Sequence, residues 1–146
     1  MSNHIIITII PLIAILVLDA IWLTLMMPIY KHAFGKVQCN APIRFNWKGA
    51  IIAYALMYVG FLMFVKPNLD KTAAGKAGTG HPKADMKGMT WSALMYGATF
   101  GLVVYGIFNA TNAAVFSDYD WTIALVDTVW GCSLFFYVSL IYLYFL

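Results

Sequence analysis

The chain contains no glutamate, and only 10% of its residues are charged. A soluble globular domain carries about a quarter charged residues, so ionic groups this sparse cannot cover a water-exposed surface. An ordinary soluble fold is thereby excluded. The six acidic residues are all aspartates, and the nine basic ones fall between Lys31 and Lys87, in segments that connect apolar blocks. A net charge of +3 so placed describes basic loops beside a membrane, where lipid headgroups are their natural partners, and not a nucleic-acid-binding face.

Cysteine and histidine are scarce as well. Cys39 lies in a connector and Cys132 inside an apolar block, so neither a disulfide nor a CxxC redox or metal motif is expected. His4, His32 and His81 fall in separate termini or connectors, with no i, i+4 pair for zinc. There is no GxSxG, no phosphate-binding loop and no dinucleotide fingerprint. No metal or cofactor is expected. The sequon Asn109-Ala110-Thr111 falls within an apolar stretch, out of reach of glycosylation. The first apolar block has no basic residue before it, outruns a signal-peptide core and carries Asp19, so it reads as a retained helix.

What the chain does have is apolar length. It is 62% hydrophobic and 16% aromatic, with a mean hydropathy of +0.79. Four stretches, about 5–28, 47–65, 91–116 and 121–146, are each long enough to cross a hydrocarbon layer of about 30 Å at 1.5 Å per residue. The expected fold is an all-α integral membrane protein, a four-transmembrane-helix bundle forming one domain over 1–146. Trp22, Tyr30, Trp47, Trp91 and Trp121 sit near the ends of these stretches, as headgroup-level aromatics do. Pro11 is expected to kink the first helix, and Pro28 and Pro67 to mark helix ends.

The connectors differ in character. Residues 31–46 are basic and include Phe34 and Phe45, which suits a segment lying along the membrane surface. Residues 66–90, rich in Lys, Gly and Ala, read as a flexible polar loop. Ser117–Asp120 is short enough to make the last two helices an antiparallel hairpin. Four basic residues (Lys31, Lys36, Arg44, Lys48) face five (Lys66, Lys71, Lys76, Lys83, Lys87) across the membrane, a balance that sets no orientation. A bacterial inner membrane and an organellar membrane such as the mitochondrial inner membrane both accommodate such a chain.

One pattern occurs twice. Leu18-Asp19-Ala20-Ile21-Trp22 and Val126-Asp127-Thr128-Val129-Trp130 each place a tryptophan three residues after an aspartate, on one helical face. With four spans, the first and third connectors share a side. Asp19 lies roughly 13 Å from that side and Asp127 roughly 9 Å, so the two carboxyls belong to one leaflet. Tyr105, Asn109 and Asn112 form an i, i+4, i+7 stripe at similar depth, and Tyr54 reaches it from the second helix. The opposite half of the bundle reads as almost wholly aliphatic and aromatic.

An ionisable group in hydrocarbon costs about 2.5 to 3.5 kcal/mol on insertion scales, and no Lys or Arg is available within the spans to neutralise two acids. Three arrangements relieve that cost: an uncharged acid hydrogen-bonded to amides and phenols, a hydrated cavity, or a bound cation. The plain structural reading is that Asp19, Trp22, Tyr54, Tyr105, Asn109, Asn112, Asp127 and Trp130 tie helices together, at about 0.6 kcal/mol per pair. Gly97 and Gly101 form a small-xxx-small step that lets helices approach.

The runs LDAIWLTLMMPIYKHAFG (Leu18–Gly35), VGFLMFVKP, YGATFGLVVYGIFNATNAAVF (Tyr96–Phe116) and VDTVWG (Val126–Gly131) together resemble the family of predicted membrane proteins catalogued as domain of unknown function 2177. The resemblance covers nearly the whole chain apart from the long basic loop, which is expanded here. It implies the four-helix architecture and the same choice of polar residues, and it implies no activity. Where the family pattern has Tyr-Asp ahead of the Thr-Asn pair, this chain has Phe108-Asn109, a departure that favours a structural role for that position.

The leading functional expectation is a non-catalytic accessory or structural subunit that packs against other membrane proteins or against itself. The alternatives are a proton-coupled transporter or small-solute pathway through the aspartate pair, and a membrane-embedded enzyme acting on a lipid.

Overall fold

In lipid every backbone polar group must be satisfied within the chain, which leaves helices or closed barrels as the spanning structures. Long apolar runs without period-2 alternation select helices. The structure is a computed structural model that describes residues 2–39, 41–42, 44–77 and 85–146, among which no strand occurs. Helix α1 spans Ser2–Val37. A second rod is continuous through α2 (Trp47–Gly60), a π-helical turn π1 (Phe61–Val65) and α3 (Lys66–Ala77). The third joins α4 (Met86–Ser92), a π turn π2 (Ala93–Ala98) and α5 (Thr99–Val115), and the fourth is α6 (Trp121–Phe145). Apolar windows Ile6–Val37, Trp47–Ala74, Met86–Val115 and Trp121–Phe145 supply four spans. The chain is a multi-pass, all-α integral membrane protein.

Side-chain caps fix where the rods begin. Asn46 Oδ1 accepts the backbone N–H groups of Lys48 and Gly49 at 3.1 and 3.2 Å. Asp85 Oδ1 accepts that of Gly88 at 3.0 Å, and Asp120 Oδ1 those of Thr122 and Ile123 at 2.9 and 3.3 Å. Each satisfies donors that the first turn leaves unpaired.

Two expectations about helix ends are corrected. Pro28 does not end α1, which runs through both Pro11 and Pro28 to Val37. A proline removes one backbone donor, but Tyr30 and Ala33 beyond it are buried against Ile123 of α6, and that packing holds the continuation. The Tyr58 hydroxyl donates to the Thr8 carbonyl at 2.9 Å, next to the carbonyl of Ile7 that Pro11 leaves without its helical donor. Helix thus occupies much of the segment expected to lie along the surface.

The expected loop at 66–90 is helical over Lys66–Ala77 and again from Met86, while 78–84 lie outside the described residues. Three anchors hold α3. Leu69 is fully buried in the core, Asp70 pairs with Lys66 at 2.6 Å and accepts the Tyr142 hydroxyl at 2.6 Å, and Thr72 meets Ser92 at 3.0 Å. Pro67 lies two residues past the end of π1, where the backbone register is already shifted, and the rod passes through it. The opposite half of the bundle is therefore not purely apolar.

The core fills the half of the bundle near α3. Ile15, Phe61, Val65, Leu69, Leu134, Phe135, Val138 and Tyr142 are buried there. Helix α6 is the central post, packing on α1, α5 and π2. Its approach to α5 is close because side chains are missing where the helices cross. A Cβ on Gly101 would overlap the Gly131 carbonyl, and one on Gly131 would overlap the Tyr105 ring. In contrast, α2 contributes no buried residue; it packs on α1 and makes only sparse contact with α5. The bundle is tight in one half and parted between α2 and α5 in the other.

Candidate functional site

The parted half contains both aspartates. Asp19, 6% exposed, accepts three neutral donors: the Tyr54 hydroxyl on Oδ2 at 2.7 Å, and on Oδ1 the Trp130 Nε1–H at 2.9 Å and the Tyr105 hydroxyl at a longer 3.4 Å. These come from α2, α6 and α5, so one carboxylate ties the other three rods to α1. Asp127 accepts the Tyr30 hydroxyl on Oδ1 at 2.6 Å and the Asn109 Nδ2–H on Oδ2 at 2.9 Å.

The repeated Asp-x-x-Trp pattern works crosswise. Trp130 of α6 serves Asp19 of α1, while Trp22 of α1 donates its Nε1–H to the Tyr30 hydroxyl at 2.9 Å, and that hydroxyl serves Asp127 of α6. The two indoles lie against each other with centroids 4.5 Å apart and planes 3° from parallel. Each aspartate is thus bonded through the helix that bears the other.

Asn109, 2% exposed, is fixed at both ends of its amide. Its Nδ2 donates to Asp127 and to the Tyr105 carbonyl, each at 2.9 Å, and its Oδ1 accepts the Tyr119 hydroxyl at 2.7 Å. That orientation makes it a donor to the acid. Burial, together with the nearby Asp127 charge, holds the Tyr119 phenol above its usual pKa, which keeps its proton on the donating oxygen.

Of the residues singled out in the sequence, Asp19, Trp22, Tyr54, Tyr105, Asn109, Asp127 and Trp130 meet in this network. Asn112 does not: its Nδ2 turns back to the Phe108 carbonyl of its own helix at 2.9 Å. It lies about 4.5 Å farther along the axis than Asn109, and the position beside Asn109 is taken by Tyr119. Tyr30 and Tyr119 are participants that the sequence reading assigned to the membrane interface and to the connector. Tyr30 follows Asp19 by eleven residues, about three helical turns, so it shares that face once α1 is known to pass Pro28.

Both carboxylates line a cavity of about 470 Å³. Tyr30, Phe34, Tyr105, Phe108 and Tyr119 add aromatic walls, and Ala53, Leu56 and Met57 of α2 also line it. Among the described residues the one ion pair is Lys66–Asp70, and no Lys, Arg or His pairs with Asp19 or Asp127. No group of three His, Cys, Asp or Glu side chains comes together among the described residues. A carboxylate offers about four acceptor sites, and the described bonds engage two of those on Asp127. The site is an acceptor-rich recess with neutral donors, spare carboxylate capacity and aromatic sides.

The family model described as predicted membrane protein, domain of unknown function 2177, matches residues 4–144. The chain belongs to this family. No curated protein and no solved structure matches it. In this member of the domain of unknown function 2177 family, the matched region takes in the first three spans, the fourth as far as Tyr144, and every residue of the aspartate network. Asn109, where the resemblance leads one to expect an acid, supplies the Asp127 donor that an ionised carboxylate would lack.

Proposed function

We propose that this protein is a membrane-embedded binding protein of the transporter type, in which Asp19 and Asp127 take up a proton or another positively charged solute from the cavity they share. The observation that carries this reading is that two carboxylates from the first and last spans line one cavity, with neutral partners throughout. Two acids placed in a span without a compensating base are costly to keep unless their charge is used. Interhelical tying alone does not call for a cavity beside them. Half-filled acceptor shells on Asp127 leave oxygens for a guest, and the parted α2 and α5 leave room for it.

The test is dissipation of an imposed gradient by proteoliposomes carrying a pH-sensitive dye inside, with a potassium diffusion potential to drive entry. Wild-type vesicles are expected to acidify faster than empty ones, and the Asp19→Asn/Asp127→Asn double variant to match the empty vesicles. Equal rates for wild type and double variant, with the variant still folded, would refute the transport reading. That result favours the accessory-subunit reading, which draws on the apolar faces that all four spans turn outward, such as Ile13, Leu25, Leu102 and Leu125.

A further inference from the structure

Resting on the binding role proposed above, we infer that the cavity's guest is a small organic ammonium ion bearing an apolar group, and that it enters sideways from the lipid between α2 and α5. Leu56 of α2 and Phe108 of α5 both line the cavity, yet they are 66% and 54% exposed. A residue that lines a recess and is also largely open stands at its mouth. Both belong to candidate spans, so this mouth faces hydrocarbon. The backbones of α2 and α5 come close at few points and α2 has no buried residue; Phe100 covers Gly60 at one end of the seam, and the opening lies beside Leu56 and Phe108. What reaches such a mouth must partition into lipid.

The recess has the opposite character at its inner end. Asp19 and Asp127 present acceptors with no cation of the protein beside them. An anionic guest would meet two like charges, and a neutral hydrocarbon would leave the free carboxylate oxygens unpaired; a cation satisfies them. The rings of Tyr30, Phe34, Tyr105, Phe108 and Tyr119 surround the same space, and aromatic faces attract an ammonium of low hydration more than a compact metal ion that holds its water. Acid at the back, rings at the sides and an apolar mouth match an alkyl- or arylammonium with its charged end inward. A cavity of about 470 Å³ is within the range of small-molecule sites.

The experiment uses the full chain in nanodiscs and follows tryptophan emission, since Trp22 and Trp130 adjoin the acids. Benzyltrimethylammonium is titrated against neopentylbenzene, its uncharged carbon isostere, and benzylsulfonate, an anion of similar bulk. The cation is expected to bind saturably, at least tenfold tighter than the isostere, with no response to the sulfonate. Asp127→Asn should weaken the cation at least tenfold while leaving the isostere within twofold, and its near-ultraviolet circular dichroism should still show the paired indoles. Leu56→Trp, which fills the mouth without touching an acid, should slow association at least fivefold. Equal affinity for cation and isostere, or binding unmoved by Asp127→Asn, would overturn the proposal. If the cation fails to bind although aspartate-dependent acidification persists, the inference falls and the binding role stands. If that acidification is also missing, both fall.

Discussion

Trp22 and Trp130 stack face to face, 4.5 Å between centroids and 3° from parallel, although 108 residues of sequence, 130 minus 22, separate them. Each indole N–H points into the network that serves the aspartate of the other's helix. The stack therefore joins α1 to α6, and its two rings are not equivalent. Trp130 bonds a carboxylate directly, whereas Trp22 bonds a phenol.

That asymmetry is measurable. Trp130→Phe keeps a ring in the stack but removes a donor to a buried acid, and should lower stability by about 1 to 3 kcal/mol. Trp22→Phe removes a neutral–neutral bond and should cost about 0.5 to 1.5 kcal/mol. Thermal melts in detergent rank the two, and circular dichroism near 280 nm should lose the paired-indole signal in both, on the order of the change expected when one partner of an aromatic pair is removed.

Asn109→Asp exchanges the amide donor for a third acid. Once ionised, the new group is an acceptor facing the acceptor Asp127, and the bond becomes a repulsion. Its ionised form is the less stable partner in the fold, so stability is present at low pH and is lost as pH rises. The variant should melt well below wild type at neutral pH, with the gap narrowing on acidification. A gap independent of pH would contradict the donor role assigned to Asn109.

At the crossing of α5 and α6, Gly101→Ala must push the helices apart, since the added methyl meets backbone of Gly131. Overpacking of this kind costs about 1 to 3 kcal/mol. Gly106→Ala on the same helix meets Thr128 Cγ2 only at 3.8 Å, an ordinary contact, and should be neutral or mildly stabilising. Comparing their melting temperatures separates close approach from helix propensity.

Asp120 caps α6 from the connector. The N–H groups of Ile123 and Thr122 stabilise its charged form and hold its carboxyl below the usual value of 3.8. A carboxyl lowered by folding stabilises above its ordinary value, and that contribution fades as pH falls through the lowered one. Asp120→Asn preserves the acceptor without the titration, so its melting temperature should respond less to acidification below about pH 4 than wild type does. Asp120→Ala should melt lower at every pH.

The sequence made four spans legible because bilayer thickness imposes a length that few other constraints imitate. Asp19 and Asp127 were legible for a related reason: an acid inside a long apolar run has no other surface to serve. Tyr105, Asn109 and Tyr54 followed from helical period and depth. Tyr30 was hidden by Pro28, since a proline is a local signal of a helix end and the packing of Tyr30 and Ala33 on α6 is not local. Asn112 shows the converse, because a stripe on a helical wheel records direction and not whether a neighbour stands at that height. The helical part of 66–77 was masked by composition: Gly, Lys and Thr describe a solvated loop until Leu69, Asp70 and Thr72 find partners on α6 and α4.

The crosswise bonding also sets an order of events during synthesis. Asp19 leaves the ribosome 111 residues ahead of Trp130, which at 5 to 20 residues per second is a wait on the order of ten seconds. Over that interval the first span holds an acid whose indole donor does not yet exist. A chain cut before α6 retains Asp19 without that donor and lacks Asp127 altogether.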